Sequence, residues 1–264
     1  MRKEYPYLRE VSLKRDGVAS YDGYPFSIPA VNKLFGLVFH RDVTFIIGEN
    51  GCGKSTLLEA IAVAWGFNPE GGTINFRFST RASHSDLHKH LCLVKSPHRP
   101  KDGFFLRAES FFNVATDIDR MDAEPSFSPP VIDSYGGRSL HEQSHGESFL
   151  ALMLNRFGGN GLYILDEPEA ALSPTRQLAV LCRMGELVEQ HSQFIIATHS
   201  PILMAYPGAK IYHLDRAGFS EIRYQETEHY LVTRDFLNNP ERMLRKLLTD
   251  DRDSDDNNNG CERR

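Results

Sequence analysis

The strongest constraint in this sequence is a glycine-rich segment between an apolar run and a stretch with helical periodicity. Residues 48–56 read Gly-Glu-Asn-Gly-Cys-Gly-Lys-Ser-Thr and match G-x-x-x-x-G-K-[ST] at every fixed position. The run 43–48 predicts a buried strand, and the apolar spacing from Ser55 to Trp65 predicts a helix. Glycines let successive backbone N–H groups converge on one anion, and the helix N-terminus adds its positive end. The segment therefore predicts a phosphate-binding loop.

The residue types in this loop predict individual roles. Lys54 is expected to neutralise the β- and γ-phosphate oxygens of a nucleotide, and the Ser55 hydroxyl to bind Mg²⁺. The other residues expected around the phosphates are Gly48, Glu49, Asn50, Gly51, Cys52, Gly53 and Thr56. A nucleotide and Mg²⁺ are thus the expected ligands.

Further apolar runs define the expected fold. Residues 162–165 and 194–198 read as buried strands separated by a helix, which indicates an α/β fold with a mainly parallel sheet flanked by helices. We expect one domain over residues 1–249, followed by a polar, disordered tail at 250–264. A small β-rich lobe inserted at about residues 70–108 is expected from three pieces: Thr73–Phe78, Leu91–Lys95 and Phe104–Ala108.

Composition excludes several classes of protein. The 264 residues carry a net charge of −5, so there is no global basic field to hold nucleic acid or an anionic membrane. The four cysteines form no C-x-x-C pair, which favours a reducing compartment. No apolar run approaches the ~18 residues of a membrane span. We therefore expect a soluble, cytoplasmic protein without membrane insertion.

Two strand ends carry candidate catalytic residues. Asp166 and Glu167 follow one apolar strand, where Asp166 is expected to hold Mg²⁺ and Glu167 to orient or deprotonate the attacking water. His199 ends the next strand, where a neutral imidazole could bond the γ-phosphate, although a lone strand-end histidine is usually structural. A separation of 199 − 166 = 33 residues suits one crossover helix, so the two strand ends should lie close together.

Taken together, the loop, the Asp-Glu-Pro strand and the Thr-His-Ser-Pro strand resemble an ABC-type ATPase, a P-loop NTPase. Ser144-His-Gly146-Glu147-Ser148 resembles the L-S-G-G-Q signature of that family and lies 166 − 144 = 22 residues before Asp166. Glutamine, histidine and glutamate replace its leucine, first glycine and glutamine. The resemblance implies ATP as the nucleotide.

The resemblance also implies a homodimer that forms on ATP binding. Ser144, Gly146 and Glu147 would contact the γ-phosphate of ATP held by the second copy, with a helix from about Ser148 supplying its dipole. Glu109 stands where the family places its Q-loop glutamine and would contact the metal or its water.

The residues of two motifs favour one subgroup of the ABC-type ATPases. D-E-P-E-A-A-L-S-P and A-T-H-S-P resemble stand-alone ATPases akin to RecF, SMC and OLD proteins. The 35 residues from Glu109 to Ser144 leave no room for a coiled-coil arm, and the 64 residues after Ser200 are too few for a Toprim nuclease. The resemblance implies a dimeric switch, driven by ATP hydrolysis, in DNA repair, maintenance or defence. The alternatives are a transporter cassette and a dimerisation module without significant turnover.

A local basic segment offers a candidate nucleic-acid contact. Residues 77–101 hold six lysines and arginines against Asp86 alone, a sum of 6 − 1 = +5. Such a segment favours binding to nucleic-acid phosphates. A solvated basic loop, or a contact with the acidic remainder of the chain, is the alternative.

Overall fold

The structure is a computed structural model that describes residues 6–18, 20–74, 85–107, 111–123 and 129–249. The chain divides into two compact units, residues 1–222 and 223–264. The domain expected over residues 1–249 takes in parts of both. Three expectations lie outside the described residues: the role of Glu109, the disordered tail at 250–264 and the basic residues at 77–84.

A six-stranded sheet forms the centre of the first unit, in the order β5-β6-β7-β3-β8-β9. All neighbours are parallel except the hairpin of β8 and β9. The middle strands are fully buried, which explains their near-continuous apolar sequences. The sheet confirms the predicted α/β fold. Its strands are β3 (Val43–Gly48), β5 (Asp102–Arg107), β6 (Gly161–Asp166), β7 (Gln193–Ala197), β8 (Lys210–Asp215) and β9 (Gly218–Glu221).

A second, antiparallel sheet packs onto the same core. Its order is β2-β1-β4, with β1 at Leu8–Leu13, β2 at Leu37–Val38 and β4 at Leu91–Lys95. The buried Gln193 amide of β7 accepts from the Leu8 N–H at 3.0 Å and donates to the Leu8 carbonyl at 2.9 Å. This side chain takes the place of a backbone ladder and joins the two sheets.

The expected inserted lobe is arranged differently in the structure. β4 belongs to the small sheet, whereas β5 pairs with β6 at the edge of the central sheet. The burial of each strand gives the reason: the four middle residues of β5 are buried, while β4 is mostly exposed. Residues 75–84 and 108 of that lobe lie outside the described part of the chain.

Helices cover both faces of the central sheet, and α7 and α8 belong to the second unit. The helix expected from Ser148 begins at His145, one residue after its N-cap Ser144. α3 lies where the sequence analysis placed no helix; it buries Val114, Ala115 and Ile118 at helical spacing. The helices are α1 (Pro29–Asn32), α2 (Lys54–Trp65), α3 (Phe111–Ala123), α4 (His145–Ala151), α5 (Pro174–Glu189), α6 (Pro201–Met204), α7 (Glu228–Asn238) and α8 (Pro240–Thr249).

Across the described ranges, no helix has both the length and the apolar character needed to span a bilayer.

Candidate active site

The phosphate-binding loop connects β3 to α2 through glycines in the left-handed region. Gly48, Gly51 and Gly53 have φ angles of +152°, +79° and +100°. A Cβ at Gly48 would lie 2.3 Å from the carbonyl oxygen of Leu214, and one at Gly53 would lie 2.8 Å from the Ile28 side chain. Both the turn and its close packing therefore require glycine.

Lys54 places a positive charge inside this loop. Its side chain is buried, and Nζ donates to the carbonyl oxygens of Gly48 at 2.7 Å and Glu49 at 3.0 Å. The ammonium is thus held by the loop itself, beside the start of α2. An anion entering the loop meets both this charge and the positive end of a 12-residue helix.

Ser55 and Asp166 form an oxygen pair beside the loop. The Ser55 hydroxyl donates to Asp166 Oδ1 at 3.1 Å, although the residues are 111 positions apart in sequence. Asp166 ends β6 and is 4% exposed. A hydroxyl and a carboxylate are oxygen ligands of the kind that Mg²⁺ takes, so the pair fits the predicted metal. Their role as metal ligands remains a prediction.

Glu167 and His199 lie together at the neighbouring ends of β6 and β7. Glu167 Oε1 is 3.8 Å from His199 Nε2, and the Glu167 side chain is 42% exposed. Glu167 has a φ of +50°, and its N–H donates to the carbonyl of Ala197 at 3.0 Å. A left-handed backbone is uncommon for a residue other than glycine and often marks a functional site. This backbone directs Glu167 away from the buried strand that precedes it.

Glu169 fixes the backbone of the histidine. Its Oε1 accepts from the His199 N–H at 2.5 Å. Glu169 lies in the turn Pro168–Ala171 that follows Glu167, so one turn supports both predicted catalytic residues. This contact between Glu169 and His199 was not predicted from the sequence.

The signature-like segment begins α4 with a capping box. Glu147 Oε2 accepts from the Ser144 N–H at 2.9 Å and from its hydroxyl at 2.7 Å. These hydrogen bonds, aided by Arg176, lower the pKa of Glu147. Arg176 reaches both residues, at 3.3 Å from Glu147 Oε1 and 3.4 Å from Ser144 Oγ. Ser144 and Glu147 are exposed.

Gly146 packs this segment against the turn after Glu167. A Cβ at Gly146 would lie 2.5 Å from the Ala171 carbonyl oxygen and 2.6 Å from Arg176 Nη1. Arg176 was not among the site residues predicted from the sequence. The Ser173-Pro174 helix start places it in the first turn of α5, but no motif marks that position.

Two AAA-domain families match consecutive parts of the chain. A family described as "AAA domain" matches residues 26–95, and one described as "AAA domain, putative AbiEii toxin, Type IV TA system" matches residues 96–205. The chain is therefore similar to AAA-domain proteins across residues 26–205, a range that contains the loop at 48–56 and the strand-end acids Asp166 and Glu167.

Individual relatives share less than a quarter of their aligned residues with this chain. The probable siderophore transport system ATP-binding protein YusV of Bacillus subtilis (strain 168) is 23% identical over 169 residues, which cover 59% of this chain and 60% of that protein. The chain thus spans about 60% of the length of this curated relative.

The chain is also similar to solved structures. The chain is similar to cbiO1 from Clostridium perfringens, part of the ABC transporter complex cbiONQ, with a TM-score of 0.50, 18% identity and coverage of 92% of this chain and 99% of that chain. An SMC head domain from Thermotoga maritima has a TM-score of 0.41, 17% identity and coverage of 84% and 98%.

Proposed function

We propose that the chain binds ATP with Mg²⁺ at residues 48–56 and hydrolyses it as a dimeric switch in DNA repair, maintenance or defence. One observation carries the proposal. Lys54, the Ser55–Asp166 pair and the Glu167–His199 pair lie at the same edge of the central sheet, next to the N-terminus of α2. These groups supply a phosphate cradle, metal ligands and a base.

The proposed mechanism assigns one task to each group. The loop N–H groups and Lys54 hold the phosphates, and Ser55 and Asp166 would hold the metal. Mg²⁺, when bound, neutralises charge on the phosphate oxygens. Glu167, which is half-exposed, orients the attacking water and takes its proton. His199 donates a hydrogen bond to the γ-phosphate from its position next to Glu167.

The proposed dimer places the signature-like segment of one copy over the ATP of the other. Ser144 and Glu147 are exposed, and no hydrogen bond or ion pair between described residues joins them to the loop at 48–53. Gly146, which lies between them, packs against the turn after Glu167. ATP of the second copy, on contacting this segment, would therefore also affect Glu167 in the copy that carries the segment.

The proposed nucleic-acid contact is the basic segment 77–101. In its described part, four cations are exposed: Lys89, Lys95, Arg99 and Lys101. Lys89 pairs with Asp86 at 2.7 Å, and Lys95 lies 4.4 Å from the Trp65 ring. Exposed cations of this kind suit phosphate contacts that do not depend on sequence.

Turnover by Glu167→Gln tests the proposed chemistry. The amide keeps the size of the side chain but removes the base, so steady-state phosphate release should fall about 100-fold or more. ATP binding should stay close to that of the wild type. Lys54→Ala is the matched comparison, because it should lose binding. Equal rates of phosphate release for wild type and Glu167→Gln would show that Glu167 is not the base.

A transporter cassette is the second candidate, because the relative YusV is described as an ATP-binding protein of a siderophore transport system. Membrane fractionation separates the two functions. A transporter subunit should sediment with membranes when its permease is present, whereas the proposed switch should remain in the supernatant.

A further inference from the structure

The helix that follows the phosphate-binding loop presents two polar residues to the sheet, one turn apart. Ser55 and Glu59 are four residues apart on α2 and therefore share a face. Ser55 contacts Asp166 at 3.1 Å, and Glu59 Oε2 contacts Arg107 Nη1 at 2.6 Å. Two adjacent contacts thus join α2 to the sheet.

The strand residues in these contacts are themselves neighbours. Arg107 and Asp166 are register partners at the ends of β5 and β6. Register partners in a parallel sheet lie about 4.8 Å apart and direct their side chains to the same face. Among the described residues, Arg107 therefore has the carboxylates of Glu59 and Asp166 within the reach of its side chain.

Because these side chains are largely buried, the carboxylate with which Arg107 pairs has a large effect on the site. The side chains of Arg107 and Glu59 are 29% and 12% exposed, and Asp166 is 4% exposed. Ion pairs are stronger where water is largely excluded. A guanidinium that forms a charge-assisted hydrogen bond with a carboxylate oxygen competes with a cation for that oxygen.

We propose that Glu59 is a positioning residue that holds Arg107 against α2 and so keeps the Asp166 carboxylate available to Mg²⁺. The inference rests on the proposed metal site of Ser55 and Asp166, and it extends that site to two residues that no motif marks. Without Glu59, Arg107 turns to Asp166 and the metal binds more weakly.

Metal binding by the full chain tests this role. Mn²⁺ serves as the probe, with its binding followed by electron paramagnetic resonance in the presence of a non-hydrolysable ATP analogue. Glu59→Gln should weaken Mn²⁺ binding about tenfold, as loss of a residue supporting metal ligands typically does. Affinity for the analogue in excess EDTA should stay within about twofold of the wild type, because the loop and Lys54 are unchanged.

The double variant separates positioning from a merely structural ion pair. Glu59→Gln combined with Arg107→Gln removes the competitor as well, so Mn²⁺ affinity should return to within about threefold of the wild type. A purely structural pair would give no such recovery. Arg107→Gln alone should bind Mn²⁺ at least as tightly as the wild type, and this variant keeps the proposal open to refutation if Glu59→Gln does not fold.

Asp166→Asn distinguishes the two ways in which the experiment can fail. Should Asp166→Asn keep full Mn²⁺ affinity, the proposed metal site is wrong and the role of Glu59 falls with it. Should Asp166→Asn lose Mn²⁺ while Glu59→Gln keeps it, only the role of Glu59 is overturned. Weak Mn²⁺ binding by Arg107→Gln, or no recovery in the double variant, overturns that role as well.

Discussion

Gly146 shows how much of this site depends on close backbone approach. Its Cα faces the Ala171 carbonyl so closely that a Cβ would lie 2.5 Å from that oxygen. The neighbouring atom belongs to the backbone of the turn after Glu167, so it cannot rotate out of the way. A side chain at position 146 must push the signature-like segment and the turn Pro168–Ala171 apart.

Gly146→Ala should therefore lower ATPase activity more than its single methyl group suggests. We expect a loss of stability of about 1–3 kcal/mol from overpacking, together with at least a tenfold loss of phosphate release. Gly185→Ala in α5 is the control, since a Cβ there meets nothing within 4 Å. Alanine should stabilise that helix by up to about 1 kcal/mol. Urea denaturation and phosphate release measure both effects, and an unaffected Gly146→Ala variant contradicts the packing account.

At the residue scale, the sequence indicates those candidate site residues that stand in motifs of consecutive residues. The loop glycines, Lys54 and the strand-end acids follow from motif and strand position, and the structure places Ser55 beside Asp166. Arg107 and Arg176 could not be found in this way. The partner of a charged side chain depends on which elements approach it in the folded chain, and spacing in sequence does not encode that approach.

At the scale of helices and strands, the start of α4 could have been recognised from sequence, whereas the sheet that each strand joins could not. The helix at the signature-like segment begins at His145 because Ser144 and Glu147 form a capping box. The helix was expected only from about Ser148, so the S-x-x-E pattern that signals this start was missed. The separation of β4 from β5 was not visible. Both are short apolar runs, and only tertiary packing decides which sheet each one joins.

The opposite ends of β5 and β6 are joined by a partly buried polar cluster. Asp102 accepts from Arg156 at 2.9 Å, from the Gly158 N–H at 2.9 Å and from the Tyr163 hydroxyl at 2.7 Å. Burial by itself would raise the pKa of Asp102, but these three donors lower it below its ordinary value. The cluster links β5 to the π-helical turn Leu152–Arg156 that follows α4.

Asp102→Asn should reduce the free energy of unfolding by about 1–3 kcal/mol at pH 7, because the partly buried Arg156 loses its counterion. A carboxyl with a lowered folded-state pKa stabilises the fold above its unfolded pKa of about 3.9 and loses this effect as pH falls through the folded value. The difference between wild type and variant should thus hold from about pH 5 to pH 8 and shrink below about pH 4. Urea denaturation across this range measures it. Exposed Asp16→Asn is the control, and a pH-independent difference would contradict the charge account.

For the whole molecule, the central question is whether two copies close over ATP. Glu167→Gln with ATP and Mg²⁺ should elute from gel filtration as a dimer, since nucleotide stays bound. Lys54→Ala should remain monomeric under the same conditions. Adding Ser144→Asp to Glu167→Gln should prevent the dimer, because it places a second anion near the γ-phosphate. A Glu167→Gln chain that remains single at every concentration would exclude the dimeric switch.

Nucleic-acid binding is tested on the described part of the basic segment. Alanine at Lys89, Lys95, Arg99 and Lys101 should weaken duplex DNA binding at least tenfold and flatten its salt dependence by a slope of about 3–4. Matched alanine substitutions at Arg234, Arg242, Arg245 and Lys246 in the second unit serve as the control. Equal loss in both variants would mean that the segment has no particular role.

The contact between Lys95 and Trp65 gives the basic segment an optical signal of its own. Trp65 is the only tryptophan of the chain, and the Lys95 ammonium lies 4.4 Å from its ring centroid. Partial burial and the nearby Arg99 lower the pKa of Lys95. A polyanion that draws the Lys95 ammonium away from the indole would change the fluorescence emission of Trp65. Intrinsic fluorescence should therefore report binding of a polyanion to the basic segment at Lys95, without any added dye.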